Sequence, residues 1–306
     1  MARYILKRLI HAMLVLIGVS LVIFILVRLT GDPTTLLVSV DARPEDIERY
    51  REVLGLDRPW YVQYWQFLGQ AIQGDFGNSF RHREPAMRLV LDRVPDTLYL
   101  TGAAMLLAYS LPTVAGLVSA IRPNSAADGV IRALTVAAQA VPTFWLGLIL
   151  ILVFSVRLDW LPPSATDDWR GLVLPAVTLS AYYMATNVRM LRSSMLEVLS
   201  RDYVRTARAK GLTERFVVER HAFKNAAIPL VTMAGIQFAS MMGGAIVTET
   251  VFAYPGMGLL AIQAIEGRDY PVVQAFVLVV ALTIVRVKLL VDLAYSWLDP
   301  RIRVEA

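Results

Sequence analysis

Residues 196–229 read LEVLSRDYVRTARAKGLTERFVVERHAFKNAAIP. Lys and Arg recur at 201, 205, 208, 210, 215, 220 and 224, with Glu and Asp among them. The flanks differ sharply: Leu172–Met195 and Ala226–Phe252 are apolar runs. A helical run of about 20 apolar residues crosses about 30 Å of hydrocarbon. A solvated basic segment between two such runs is a loop joining membrane spans.

Working outward, the same reading predicts four further spans at Leu9–Leu29, Leu98–Ile121, Val130–Val156 and Val272–Leu298. The first run follows Arg3, Lys7 and Arg8, as a signal peptide would, but it is too long and ends in Arg28-Leu29-Thr30. It reads as an uncleaved span, stopped by Gly31-Asp32-Pro33. Of 306 residues, 56% are hydrophobic and only 18% charged, with mean hydropathy +0.53. Soluble domains are about 25% charged, so an ordinary soluble enzyme and a disordered chain are both excluded. The expected fold class is all-α, a polytopic membrane protein of six transmembrane helices.

Residues 30–96 break the pattern. Charges alternate from Asp41 to Asp57, and Trp60, Tyr61, Tyr64, Trp65 and Phe67 cluster. Gly55-Leu56-Asp57 and Gly74-Asp75-Phe76-Gly77-Asn78-Ser79 are turn signals. This segment reads as extramembrane amphipathic helices with aromatics at the bilayer surface. Six spans place both termini on one side, and that side carries most short-loop Lys and Arg. Only Arg157, Arg170 and Arg268 lie in the opposite short loops. Positive charge marks the cytoplasmic side, so both termini are expected inside. The net charge of +5 is then chiefly membrane orientation, and no nucleic-acid partner is expected.

Energy chemistry is missing from the chain. No Gly-Lys dipeptide occurs, so there is no phosphate-binding P-loop. His11, His82 and His221 are scattered and cysteine is absent, so neither a thiolate metal site nor a disulfide is available. No catalytic residue, cofactor site or metal site is assigned. In the last span, Arg286 can snorkel to the surface, and Lys288 and Asp292 are spaced to pair on one face.

The opening segment reads as two helices broken at Gly211. Tyr203–Lys210 is helical in composition, and Gly211 suits the left-handed residue that ends a helix. Thr213 stands where the next helix would be capped, with Phe216, Val217 and Val218 as its apolar face. Such a segment either docks a partner or grips anionic headgroups.

Thr206-Ala207-Arg208-Ala209-Lys210-Gly211-Leu212 resembles the Glu-Ala-Ala-x-x-x-Gly motif of ABC importer permeases, in the form used by the dipeptide and oligopeptide branch, which includes glutathione-type members. Further strings match that branch in order: Gly31-Asp32-Pro33, Gly55-Leu56-Asp57, Gly74-Asp75-Phe76-Gly77, Arg192-Ser193-Ser194-Met195, Asp202–Gly211, Asp269-Tyr270-Pro271-Val272-Val273-Gln274 and Asp299-Pro300-Arg301-Ile302-Arg303. Arg205 stands where the general motif begins with Glu, and Pro229 lies five residues beyond the usual Leu-Pro. The resemblance implies a type I ABC importer permease fold with an extracytoplasmic helical insertion after the first span. Its parts would be residues 1–96, a five-helix transmembrane domain 97–298 with a coupling loop at about 196–225, and a cytoplasmic tail 299–306.

The resemblance also implies function. Such a permease sits in the bacterial inner membrane and forms half of a pathway for di-/oligopeptides or small peptides such as glutathione. It pairs with a second homologous permease, two cytoplasmic ABC ATPases that bind ATP and Mg, and an extracytoplasmic substrate-binding protein, all amid membrane lipid. The segment Leu158–Arg170 is short, as in glutathione-type members and unlike some dipeptide members, which leaves the substrate open, and nickel or metal-chelate permeases are the alternative. A receptor or channel without a transport cycle is the alternative from a different class. The ATPase-coupling residues would be Arg205, Thr206, Ala207, Arg208, Ala209, Lys210, Gly211, Leu212 and Thr213, with Ala207 against the partner. The fifth span holds the pore candidates Gln237, Ser240, Gly243, Gly244 and Glu249. Its Ala239/Gly243 and Ser240/Gly244 pairs permit close helix crossing, at the pore or within the subunit. Glu249 is expected to face protein or water, not lipid, and would line the outer gate or help receive the binding protein. Gln237 either meets substrate or pairs with a neighbouring helix.

Overall fold

The computed structural model describes residues 2–29, 43, 45, 48, 51–52, 55, 57–166 and 168–298. Gly31-Asp32-Pro33, most of the charged stretch 41–57 and the tail 299–306 lie outside them, as does the side chain of Asp292. The described elements are α1 (Ala2–Leu29), α2 (Trp60–Ile72), α3 (Ala86–Ile121), α4 (Ala126–Ala140), α5 (Thr143–Leu150, continuing as a π-helical stretch Ile151–Arg157) and α6 (Arg170–Leu199). Then follow α7 (Asp202–Ala209), α8 (Glu214–Phe216), a π-helical stretch Val217–Ala222, α9 (Phe223–Ala226), α10 (Ile228–Val251), α11 (Met257–Glu266) and α12 (Tyr270–Leu298). No strand occurs among the described residues.

Among the described residues, four helices are long and apolar enough to cross a bilayer, at Ile10–Leu29, Ala86–Ile121, Ile228–Val251 and Tyr270–Leu289. The expected third span is not one rod: α4 and α5 are bent by 108° at the break between them. The cause is local. Val141 precedes Pro142 and takes an extended backbone, as residues before proline do. Pro142 supplies no N–H, so the helix restarts at Thr143. Helix α6 has 30 residues, a length of about 45 Å. It is less apolar than the other long helices because it carries Asn187, Arg189 and Arg192.

The chain divides into two compact units, Met1–Asp96 with Gly256–Ala306, and Thr97–Pro255. In the first, α1 packs against α12 and α2. The aromatic cluster divides in two. Tyr64 and Phe67 turn onto Phe24 of α1, with ring centroids 5.5 and 5.9 Å away, and the Tyr64 hydroxyl lies 3.0 Å from Ser20 Oγ. Trp60, Tyr61 and Trp65 stay exposed. The loop after α2 is clamped on buried Asp269. Ser79 Oγ and the Phe80 amide donate to its carboxylate, the latter at 3.1 Å. Helix α11 was not anticipated, because its ten residues were too short to stand out from the apolar sequence around them. On α12, Arg286 and Lys288 are exposed.

In the second unit α6 is the central post, packed by α4, α5 and α10. Leu100, Ala104 and Ala108 of α3 meet Leu174, Ala176 and Leu179 of α6 and Met241 and Ala245 of α10 in one core. A second cluster joins Ala120, Leu191, Met195, Val218, Ala222 and Ala226. Alanines at these positions let the helices approach closely. Gly116 goes further: a Cβ there would sit 3.1 Å from Leu191 Cβ.

Candidate functional site: the glycine-ended segment and the buried polar clamps

Helix α7 follows α6 after a short turn. Arg201 and Asp202 start it, and it runs only to Ala209. Val204 and Ala207 face inward and pack with Val217, Val198 and Leu199. The expectation that Ala207 itself meets a partner is therefore corrected: its methyl is covered by its own chain. The period of the helix explains this, since positions three apart share a face and Val204 is the apolar anchor. Arg205, Thr206, Arg208, Ala209, Lys210, Gly211, Leu212 and Thr213 are exposed. Gly211 has φ +78°, and its amide donates to the Arg208 carbonyl at 3.0 Å. Nothing lies within 4 Å of where its Cβ would be.

Thr213 occupies the N-cap position of α8 but makes no side-chain cap bond. The turn is braced instead by Arg208, whose Nε and Nη2 donate to Glu214 at 3.0 and 2.7 Å. Hydrogen bonding to that guanidinium holds the Glu214 carboxyl below its usual value. The bond is thus present at neutral pH and is lost only as pH falls through the carboxylate range. Of the expected apolar face, Val217 and Val218 are buried and Phe216 is exposed. The exposed surface of this segment is basic and glycine-ended, with Tyr203, Leu212 and Phe216 also exposed on it.

The pore candidates separate into two groups. Gln237 is buried, and its Oε1 accepts from Tyr109 Oη at 2.9 Å and from Asn187 Nδ2 at 3.1 Å. Its Nε2 donates to Asn187 Oδ1 at 2.7 Å, while Asn187 Nδ2 also reaches the Ala108 carbonyl at 2.7 Å. Gln237 thus fastens α10 to α6 and α3. Glu249 is fully buried and accepts from Thr97 Oγ1 at 2.7 Å. It faces protein, as expected of an acid within a span. Ser240 and Gly243 are exposed, on a stripe with Ile236, Val247 and Thr250. Gly243 has nothing within 4 Å of its Cβ direction, whereas Gly244 faces Leu179 Cδ1 at 3.6 Å. The small-residue face therefore belongs only in part to packing within this subunit.

A third polar clamp was not read from the sequence. Asp128 is fully buried at the start of α4 and accepts from Arg192 Nε at 2.9 Å and Nη2 at 3.0 Å, from the Asn124 amide at 2.9 Å and from Ser119 Oγ. Arg192 belongs to a string quoted above, and the usable signal was an arginine and an aspartate at the margins of apolar runs.

Long apolar helices define a polytopic membrane protein, and a solvated helix-turn follows α6 ahead of the next of them. The chain belongs to the family of binding-protein-dependent transport system inner membrane components, which matches residues 113–304, with its N-terminal companion matching residues 1–101. It is 42% identical over 304 residues to the Glutathione transport system permease protein GsiC of Escherichia coli (strain K12), covering 99% of each chain. The same protein of Shigella dysenteriae serotype 1 matches equally. Among solved structures, the inward-facing MetNI methionine ABC transporter aligns with TM-score 0.59 at 18% identity, over 70% of this chain and 97% of that one. An amino acid ABC transporter solved with histidines aligns with TM-score 0.55 at 14% identity, over 67% and 92%. The fold is that of ABC importer permeases. The chain is a multi-pass inner-membrane permease subunit of a binding-protein-dependent importer, not an enzyme.

Proposed function

We propose that this permease forms half of a translocation pathway for glutathione or a similar small peptide, with both termini cytoplasmic. The full-length 42% identity to a glutathione permease carries the substrate class. The other half is a second homologous permease, and an extracytoplasmic binding protein delivers the substrate. Two cytoplasmic ATPases bind ATP and Mg and drive the cycle.

Force enters through Arg205–Thr213. The observation behind this is the division of α7 into two faces. Val204 and Ala207 root it in the chain, so a push on the exposed face moves the structure beneath it instead of bending a loop. The Lys and Arg of this face suit an acidic groove on the ATPase, and Gly211 keeps the turn tight.

Reconstitution tests the reading. Proteoliposomes holding both permeases and the ATPases should accumulate labelled glutathione only with internal ATP and the external cognate binding protein. Uptake of a metal chelate but not glutathione would refute the substrate. Failure of any ATPase to copurify would refute the importer cycle.

A further inference from the structure

Helices α4 and α6 are bolted together at two levels. At one level Arg192 embraces the buried Asp128 carboxylate with two donors, and its Nε also reaches Ser119 Oγ of α3 at 2.9 Å. Asp128 is held from its own side too. Its amide donates to Ser125 Oγ at 3.2 Å, and Arg132 Nε lies 3.5 Å from its carboxylate. Further along, Gln139 Nε2 of α4 donates to Thr186 Oγ1 of α6 at 3.0 Å. Two polar ties on one helix pair prevent both sliding and rotation. A guanidinium in bidentate contact fixes orientation as well as distance.

Arg192 lies ten residues before Asp202, the first residue of α7. Between them Val198 and Leu199 of α6 pack on Val204, Ala207 and Val217. An unbroken solid path therefore runs from the exposed basic face, through the end of α6, to the start of α4. At its far end α4 stops at the Val141-Pro142 break, beyond which α5 turns away by 108°. That break has no helical hydrogen bond through the proline to resist bending.

We propose that Arg192 and Asp128 are positioning residues of the transport cycle: they make α4 and α6 travel as one body with the segment Arg205–Thr213, and the Val141-Pro142 break is the hinge about which that body swings. The inference rests on the coupling reading above. Without the clamp, a displaced α6 end would leave α4 behind, and ATP would be spent without movement of the pathway.

The chain has no cysteine, so labels can be placed singly. Ala133 of α4 and Ser200 at the end of α6 are exposed. Spin labels at Ala133→Cys and Ser200→Cys in the full reconstituted complex should report one distance distribution, both without nucleotide and trapped with ATP, Mg and vanadate. A shift between the two states in the otherwise unaltered chain would overturn the proposal. Arg192→Gln should broaden or shift that distribution. It should also reduce the stimulation of ATP hydrolysis by glutathione-loaded binding protein at least tenfold, with basal hydrolysis and assembly kept. Arg192→Lys, which keeps charge but not the bidentate grip, should fall between. A purely structural clamp would lower stimulated and basal hydrolysis together, in proportion to assembled complex, and that result would also overturn the proposal. If Arg192→Gln does not assemble, the labelled parent complex and Arg192→Lys decide. Failure of the coupling reading is separate: an unaltered complex would then show no stimulation at all.

Discussion

Gly211 and Ala207 sit four residues apart and act by different physics. At φ +78° a Cβ on residue 211 is strained by about 1 kcal/mol or more, although space around it is open. Gly211→Ala should therefore cost little beyond strain, whereas Gly211→Val adds a branched side chain on the surface proposed to meet the ATPase. We expect Gly211→Val to abolish uptake while the permease still inserts and the binding protein still binds substrate, as measured by transport and ATPase copurification. Normal transport by this variant would leave the segment as a lipid contact only. Ala207→Trp has a different expected defect, because Ala207 packs against Val204 and Val217. The buried amides give a second residue-scale prediction. Gln237→Leu removes the donor to the buried Asn187 Oδ1, and an unsatisfied buried group costs about 1–3 kcal/mol. Asn187→Leu should cost a similar amount. The double variant should cost clearly less than the two together, as a thermal-melting double-mutant cycle in detergent would show.

Elements in this chain are positioned by what their small residues permit. Helix α3 comes close to α6 at Gly116, where a Cβ would stand 3.1 Å from Leu191 Cβ. Gly116→Val forces the helices apart, and overpacking of that kind costs about 1–3 kcal/mol. Gly102, on the same helix, has nothing within 4 Å of its Cβ direction, so Gly102→Ala should be neutral or slightly stabilising. Melting temperatures of the two variants compared with the parent check this, and equal losses would mean that helix propensity, not packing, sets the effect. The buried charge pair between α4 and α6 follows the same logic with higher stakes. Removing one partner of such a pair costs about 3–5 kcal/mol because the other is left uncompensated. That is why the conservative Lys variant matters as much as the Gln variant.

For the whole molecule, the decisive matter is which side of the membrane each loop occupies. The proposed topology, argued from the Lys and Arg asymmetry, would put residues 57–85 outside and Arg205–Thr213 inside. Single cysteines check this in a cysteine-free chain. Ser79 is an unsuitable site, since its hydroxyl is buried against Asp269. His82, three residues on, is exposed. His82→Cys should react with an impermeant thiol reagent added outside intact cells, and Thr213→Cys should react only after lysis. The reverse pattern would invert the topology and remove the ATPase from reach of the coupling segment.

Much of this was legible in the sequence because it depends on local properties. Length and hydropathy of a run specify a span, charge bias specifies its orientation, and a glycine after a helical stretch specifies a left-handed end, as Gly211 shows. The string from Asp202 to Gly211, taken in order with six others from Gly31-Asp32-Pro33 to Asp299-Pro300-Arg301-Ile302-Arg303, indicated an importer permease. What the sequence by itself could not determine is which side of each helix meets which neighbour. A helix offers several faces, and the choice among them depends on residues tens of positions away. Ala207 turned inward because Val217 awaited it, and Glu249 was buried because Thr97 offers a hydroxyl 152 positions earlier. The Asp128–Arg192 clamp spans 64 positions with no shared motif. Low dielectric gives such buried polar pairs their strength, and only packing in three dimensions creates that environment.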